Sequence, residues 1–209
     1  MSDEKRLNPA YLILTERLFL RCYQPENAAE LIAVMATNQD HLSRWLPWVA
    51  EIQTLEEKAD LLRTFRSQFD TNEQFIYGVF ERESEKLIGG AGLHPRCGLG
   101  GIEVGYWLAQ EHTGRGLATE CTSALIRLAF EVHDVKFVEI RCEEENTSSR
   151  GIPERLSFTQ EATLRMRPMG SLDNLKNQAL YSMLATEYAS SPSASARIQA
   201  FDVLGMQLL

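Results

Sequence analysis

The residues whose types and spacing point most directly to chemistry form one short run, Thr113-Gly114-Arg115-Gly116-Leu117-Ala118. Ahead of it, Ile102, Val104, Tyr106 and Leu108 alternate with Glu103, Gly105 and Trp107, the period of two expected of a strand. Behind it, Leu117, Cys121, Leu125, Leu128 and Val132 recur at helical spacing, with Ala118, Ala124 and Ala129 filling in. A strand, a glycine turn and a helix in this order aim main-chain N–H groups at an anion. The first N–H groups of a helix lack internal partners, and the helix dipole is positive at that end. Glycine lets the main chain approach a phosphate with no Cβ in the way. Two common phosphate loops are excluded. The chain has no G-x-x-x-x-G-K-[ST] run, and Thr119 stands where a G-x-G-x-x-G pattern starting at Gly114 needs its last glycine.

The flanking segments supply a frame for this turn. Pro25 and Glu26 open a helix that carries Ala28, Leu31, Ile32 and Met35 on one face. Trp45, Leu46, Pro47 and Trp48 make the most aromatic short stretch of the chain. Thr54 and Glu57 have the spacing of a capping box, opening a helix with Leu55, Ala59, Leu62, Phe65 and Phe69 on one side. Residues 75–80 and 87–94 read as a hairpin around a charged turn, and His94 ends its second strand. Glycines 89, 90 and 92 in that strand predict a bulge or a close ligand approach. Residues 136–142 form the next strand, which the crossover helix places parallel to the strand beginning at Ile102. Residues 158–165 and 177–188 read as two last strands around the turn MGSLDN. From Ala189 the run SSPSASA is linker-like, and Ile198, Phe201, Leu204 and Leu208 then share a helical face. That face would pack on its own domain, fray, or meet a second copy.

With its flanks included, the glycine turn resembles the acyl-CoA pyrophosphate loop of the GCN5-related N-acetyltransferases (GNAT), [Q/R]-x-x-G-x-[G/A]. Thr113 replaces the usual Gln or Arg. Gly105-Tyr106-Trp107-Leu108 before the turn and Gly116-Leu117-Ala118-Thr119-Glu120 after it resemble the subgroup of ribosomal-protein alanine and serine N-acetyltransferases. Thr15 to Arg21 is similar to that subgroup's first strand, and the likeness covers most of residues 11–188. Residues 143–158 resemble its N-x-x-S…E-K-L-G-F segment through Asn146, Ser149 and Glu154-Arg155-Leu156-Ser157-Phe158. Ser157 stands for a glycine, and Gly151 and Pro153 sit where a helix should run, which predicts a short or distorted helix.

The resemblance implies an α/β fold: a mixed, twisted sheet of about seven strands with helices on both faces and a central parallel pair splayed for CoA. Residues 1–188 would be a single acetyltransferase domain, with 189–209 as linker and tail. It also implies acetyl transfer from acetyl-CoA to a primary amine by direct attack, without a metal. Thr113, Gly114, Arg115, Gly116, Leu117, Ala118 and Thr119 would hold the pyrophosphate. Trp107, Leu108 and Ala109 would offer main-chain groups to the pantetheine, and Asn146 would bond the same arm. Ser149 would assist the departing thiolate, and Glu103 is the candidate general base, directly or through a water. Trp45 and Trp48 would wall the acceptor site, with His94 as a proton carrier. Each residue also has a plain structural alternative: a glycine-capped helix start, ordinary sheet pairing, N-caps, a salt bridge, core aromatics. The run Glu143-Glu144-Glu145 reads as a solvated face or as an attractor of a cationic substrate.

Acid–base arithmetic favours one class of amine, since only the neutral form is a nucleophile. An α-amino group with a pKa of about 7.7–8.0 is roughly a tenth neutral at pH 7, whereas lysine at about 10.4 is neutral to the order of 0.0004. With Glu103 as the single plausible carboxylate, the expected acceptor is a protein or peptide N-terminus, a ribosomal protein among the candidates. A polyamine or antibiotic acetyltransferase and a non-catalytic acyl-CoA-binding module are the alternatives. Composition agrees with a globular protein. The 209 residues are 44% hydrophobic, enough for one sizeable core. The net charge of −8 and pI near 5.1 argue against nucleic-acid binding and would attract a cationic acceptor. Cys22, Cys97, Cys121 and Cys142 are scattered without a CxxC, as in a reduced cytoplasmic protein without zinc. The charged N-terminus lacks a signal-peptide pattern, and no window reaches transmembrane length. The expected assembly is a monomer or homodimer with no membrane partner.

Overall fold

The structure, a computed structural model, describes residues 9–51, 53–168 and 172–209. Strands β1 (Leu12–Leu14) and β2 (Leu18–Cys22) precede helices α1 (Ala28–Thr37), α2 (Gln39–Ser43) and α3 (Leu55–Asp70). Then come β3 (Phe75–Glu81), β4 (Leu87–His94), β5 (Gly101–Leu108), α4 (Leu117–Glu131), β6 (Phe137–Glu143) and α5 (Thr147–Arg155). The chain ends with β7 (Thr159–Pro168), β8 (Leu175–Leu184), α6 (Ala185–Tyr188) and β9 (Gln199–Phe201). All nine strands form one sheet in the order β7-β8-β6-β5-β4-β3-β2-β1-β9. The pairing of β5 with β6 is parallel, and the other described pairs are antiparallel.

Two strands beyond the expected seven have local causes. The segment YLILTERLFLR breaks into β1 and β2 because Thr15 closes a turn: its Oγ1 accepts from the Leu18 N–H at 3.0 Å, and its own N–H donates to the Leu18 carbonyl at 2.9 Å. The second is β9, which corrects the helical reading of the tail. Leu12 pairs with Phe201 and Leu14 with Gln199, and Ala200 is fully buried. A helix is stopped by turn chemistry: Asp202 Oδ1 accepts from the N–H groups of Leu204 and Met206, and Gly205 has φ +76°. The serine-rich run before it is docked on the domain, with Ser193 fully buried and accepting from Ser123 Oγ at 3.1 Å.

Alternation along the strands builds a core on each face. Leu20, Tyr77, Leu93, Ile102, Val104, Val138 and Ile140 pack with α4 residues Leu117, Cys121, Leu125 and Leu128. On the opposite face Ile76, Phe19 and Trp107 pack with Leu31, Met35 and Leu62 of α1 and α3. The capping box at Thr54 forms: the Glu57 N–H donates to Thr54 Oγ1 at 3.2 Å, and the Thr54 N–H donates to Glu57 Oε2 at 2.8 Å. Among the described residues no helix is long and apolar enough to cross a membrane. The N-terminal reading of residues 1–8 and the turn at residues 169–171 lie outside the described residues.

Helix α5 is short, as expected, with nine residues, and Gly151 and Pro153 do not break it. Pro153 lacks an N–H and so leaves the Ser149 carbonyl, four residues earlier, without its helical partner. The Tyr106 hydroxyl donates to that carbonyl at 3.2 Å and replaces the missing bond. The helix then ends in a Schellman motif. The Phe158 N–H donates to the Pro153 carbonyl at 3.0 Å and the Ser157 N–H to that of Glu154 at 3.3 Å. Ser157 has φ +67°, a conformation that costs a residue with a Cβ and not a glycine. Ser157→Gly is therefore expected to stabilise the fold by about 1 kcal/mol, read as a higher urea midpoint with an unchanged m-value.

Candidate active site

The site is built where the sheet comes apart. Strands β5 and β6 pair only over Gly101–Glu103 and Phe137–Glu139. Beyond that point β5 stays on β4 as far as Leu108, and β6 stays on β8 as far as Glu143. The facing edges of residues 104–108 and 140–143 are left without a ladder partner, which is a demand for other hydrogen-bond partners. Strand β4 can follow β5 along its whole length because residue 89 is glycine: a Cβ there would stand 2.2 Å from the Trp107 carbonyl oxygen.

The open end of this wedge meets the glycine turn. Gly114 and Gly116 have φ +70° and +77°, and Gly116 is the N-cap of α4. No atom lies within 4 Å of where a Cβ would stand on Gly114, and the nearest to Gly116 is Arg17 Nη2 at 3.6 Å. The glycines thus serve backbone conformation and leave open space over the helix N-terminus. Arg17 steadies the turn by donating to the Arg115 carbonyl at 2.9 Å and pairing with Glu120 at 2.7 Å. Burial alone would raise the Glu120 carboxyl, but hydrogen bonds from Thr15 and Arg17 outweigh it and hold the pKa below its usual range. Thr113 Oγ1 donates to the Gln110 carbonyl at 2.7 Å, and Thr119 Oγ1 accepts from Arg155 across to α5 at 3.3 Å.

On the α4 face of the wedge, Tyr106 Oη lies 3.3 Å from Ser149 Oγ. Burial holds the Tyr106 phenol protonated far above neutral pH, so it is a donor here. Asn146 caps α5, its Oδ1 accepting from the Ser149 N–H at 3.0 Å. The Cys142 thiol adjoins Ser149 and is pushed up to about 11, chiefly by burial. Tyr106 and Cys142 are additions to the predicted set. Both occupy core-facing positions of their strands, so alternation alone marked them as packing residues.

At the closed end, Glu103 is buried and both its oxygens are held. Arg96 Nε donates to Oε2 at 3.0 Å, Arg96 Nη2 donates to Oε1, and Arg141 Nε stands 3.8 Å from Oε2. His94 lies opposite Glu103 on β4, with Nδ1 3.1 Å from Gln74 Oε1. Its pKa is lowered to about 4, first by burial and then by Arg96, so the ring is neutral at pH 7. Trp48 is 56% exposed and meets the Trp107 ring edge-on at 6.5 Å, while the Arg44 guanidinium lies 4.7 Å from the Trp45 ring centroid. Neither early tryptophan is a core residue; Trp48 stands with Trp107 on the α1–α3 face. The structure thus brings the glycine turn, Trp107–Ala109, Asn146 and Ser149 to the wedge, with Glu103 and His94 at its closed end.

Residues 17–159 match a family model described as an acetyltransferase (GNAT) domain. The chain belongs to the GNAT acetyltransferase family. YdaF of Bacillus subtilis (strain 168) is 28% identical over 154 residues, 73% of this chain and 83% of its own length. The [ribosomal protein uS5]-alanine N-acetyltransferase of Escherichia coli (strain K12) is 24% identical over 159 residues, 73% of this chain and 80% of its own. A solved structure of RimL, a ribosomal L7/L12 α-N-protein acetyltransferase in complex with coenzyme A, superposes with a TM-score of 0.73 at 18% identity. That match covers 86% of this chain and 98% of the RimL chain. The protein is thus an acetyltransferase with the mixed sheet of its family. Among the described residues no cluster of His, Cys, Asp or Glu has the makings of a metal site.

The Glu103 pair has a measurable consequence. Glu103→Gln leaves Arg96 without its carboxylate, but the Arg96 side chain is 61% exposed and regains water. The expected cost is about 1–2 kcal/mol in urea unfolding, below the ~3–5 kcal/mol of a pair broken in a dry interior.

Proposed function

We propose that this acetyltransferase moves the acetyl group of acetyl-CoA to the α-amino group of a protein or peptide N-terminus within a ternary complex. The observation that carries the reading is the wedge between β5 and β6, closed by Glu103 and opening onto two left-handed glycines at a helix N-terminus. Relatives named for ribosomal-protein alanine and serine N-acetylation support the acceptor class. The four free cysteines suit a reducing, cytoplasmic setting.

In this reading the N–H groups from Gly114 to Thr119, with the Thr113 hydroxyl beside them, receive the pyrophosphate. The unpaired edge at Trp107, Leu108 and Ala109 takes the pantetheine amides as a missing strand would. Asn146 has spent its Oδ1 on α5 and offers its NH2 group to the same arm. Acetyl-CoA supplies the thioester carbonyl that the amine attacks. Ser149 donates to the departing sulfur, and the Tyr106 hydroxyl, bonded to the Ser149 carbonyl, holds the turn of α5 that carries it. Glu103 holds the vertex of the sheet, since Arg96 occupies both of its oxygens. His94 is too weak a base to carry much of the proton load and forms part of the wall. Trp107 and Trp48 border the acceptor's approach.

Three outcomes test these roles. Gly116→Val puts a branched side chain where φ is +77° and where the phosphate would approach, so CoA affinity should fall at least tenfold by calorimetry in a variant with an unchanged circular dichroism spectrum. Unchanged affinity would remove the turn from the CoA site. Ser149→Ala should lower kcat by ~100-fold while CoA affinity stays constant, the signature of lost help to the leaving group. Finally, mass spectrometry should find acetyl on the α-amine of a free peptide, faster than on its Nα-blocked, lysine-bearing counterpart. Acetylation chiefly of lysine or spermidine would overturn the acceptor assignment.

A further inference from the structure

Two carboxylic acids are buried among the described residues, Glu103 and Glu143, at 7% and 5% relative exposure. Glu103 is neutralised by two arginines. Glu143 is different: its carboxylate makes no hydrogen bond and no ion pair with any described residue. A carboxylate in a closely packed residue with no partner inside the chain is open to a cationic group from outside it.

The register says where Glu143 stands. Glu103 is level with Glu139, so Arg141 and Glu143 continue on the Glu139 face of β6, as Gly105 and Trp107 do on β5. Cys142, between them, points to the α4 core and to Ser149. Glu143 lies four residues beyond Glu139 and Trp107 four beyond Glu103. The two therefore occupy opposite lips of the wedge, on the face where Trp48 meets Trp107. This is the face away from α4 and α5, where an acceptor would enter while CoA occupies the other side. The charged groups facing Glu143 are Lys176 on β8, Arg44 after α2, and Glu145 beyond the end of β6. None of them is within ion-pair distance. Burial is the largest influence and raises the pKa of Glu143; Lys176 and Arg44 oppose it, and Glu145 adds to it.

We propose that Glu143 is the carboxylate that binds the acceptor's ammonium group and takes its first proton. This rests on the N-acetyltransferase reading above. The ammonium docks on the carboxylate, one proton passes to Glu143, and the freed lone pair forms the N–C bond as the C–S bond breaks. The second nitrogen proton leaves for the departing sulfur by way of Ser149, and Glu143 returns its proton to water. Amine and thioester thus become amide, thiol and one released proton. A carboxylate with a raised proton affinity suits this work, because it narrows the gap to an α-amine of about 7.7–8.0.

The experiment compares Glu143→Gln with the native protein on whichever amine the native protein acetylates from a free-N-terminus peptide, spermidine and an aminoglycoside. At pH 7 the variant should show a higher KM for the amine and a kcat/KM lower by ~100-fold, with CoA affinity by calorimetry unchanged. The deficit should shrink as pH rises past the amine's own pKa, since the acceptor then arrives neutral. Urea unfolding gives a readout independent of turnover. The folded pKa lies above the unfolded one, so the ionised group destabilises the fold above both values and has no effect below both. Glu143→Gln should accordingly raise the urea midpoint at neutral pH, with the gain fading in acid. An unchanged kcat/KM, a loss of CoA affinity, or a fall in the urea midpoint overturns the proposal. Turnover of spermidine in preference to the peptide would overturn only the α-amine assignment, with Glu143 then judged on spermidine. If no amine is acetylated by the native protein, the acetyl-transfer reading fails and the role of Glu143 fails with it.

Discussion

The early end of the β5–β6 ladder is the constraint on which the structure depends. Three residue pairs hold the strands together, and then the hydrogen-bonding edges of both face a gap. Such edges are tolerable only when each strand is fully supported on its other side, as β5 is by β4 and β6 by β8. The glycines of β4 serve this purpose, because a side chain at Gly89 would push against the Trp107 carbonyl. Helix α4 packs beneath the gap and points its N-terminus at the open end. The glycine turn and the strand edges are therefore two products of one parting of the sheet.

Charge is distributed along the wedge in a graded way. At the closed end Glu103 and Glu139 are matched by Arg96 and Arg141, so the vertex is charged yet neutral in sum. His94 beside it is kept uncharged by burial. Along the α4 face, Tyr106, Ser149 and Cys142 are protonated donors or neutral groups. Among the described residues of the wedge, an unmatched carboxylate remains at the outer lip, Glu143. Such an arrangement suits one substrate arm that needs neutral donors and another that carries a positive charge.

Much of this was legible in the sequence because it rests on local rules. The alternation around Glu103 and the glycine turn gave the strand, the turn and the helix start, and the Thr54–Glu57 spacing gave a capping box that forms as drawn. Elsewhere a distant partner replaced what local rules took away. By local rules Pro153 would break α5, but Tyr106, 43 residues away along the chain, supplies the donor that the carbonyl lost. Ile198, Phe201, Leu204 and Leu208 keep helical spacing, but β1 offers an edge and Asp202 and Gly205 turn the chain back. The triple glutamate run looked uniform, although a strand end separates its members. Glu143 faces into the wedge, Glu144 accepts from Asn177, and Glu145 is exposed. Cys142 carried no signal beyond an apolar alternation, and Tyr106 stood out only as a member of the run Gly105–Leu108, with no role of its own.

The pairing of β1 with β9 bears on the timing of folding. Leu12 is among the first described residues and Phe201 among the last, yet they are neighbours in the sheet. During synthesis the hairpin of β1 and β2 must wait, one edge bare, until residues 199–201 have left the ribosome. Contacts of such long sequence separation are slow to form, because the entropy of closing the loop is lost before the contact repays it. An exposed β1 edge on a nascent chain is also a template for pairing with another chain. Covering that edge late makes the short β9 less a source of stability than a seal, and chain length becomes a clock for when this acetyltransferase is safe from its own copies.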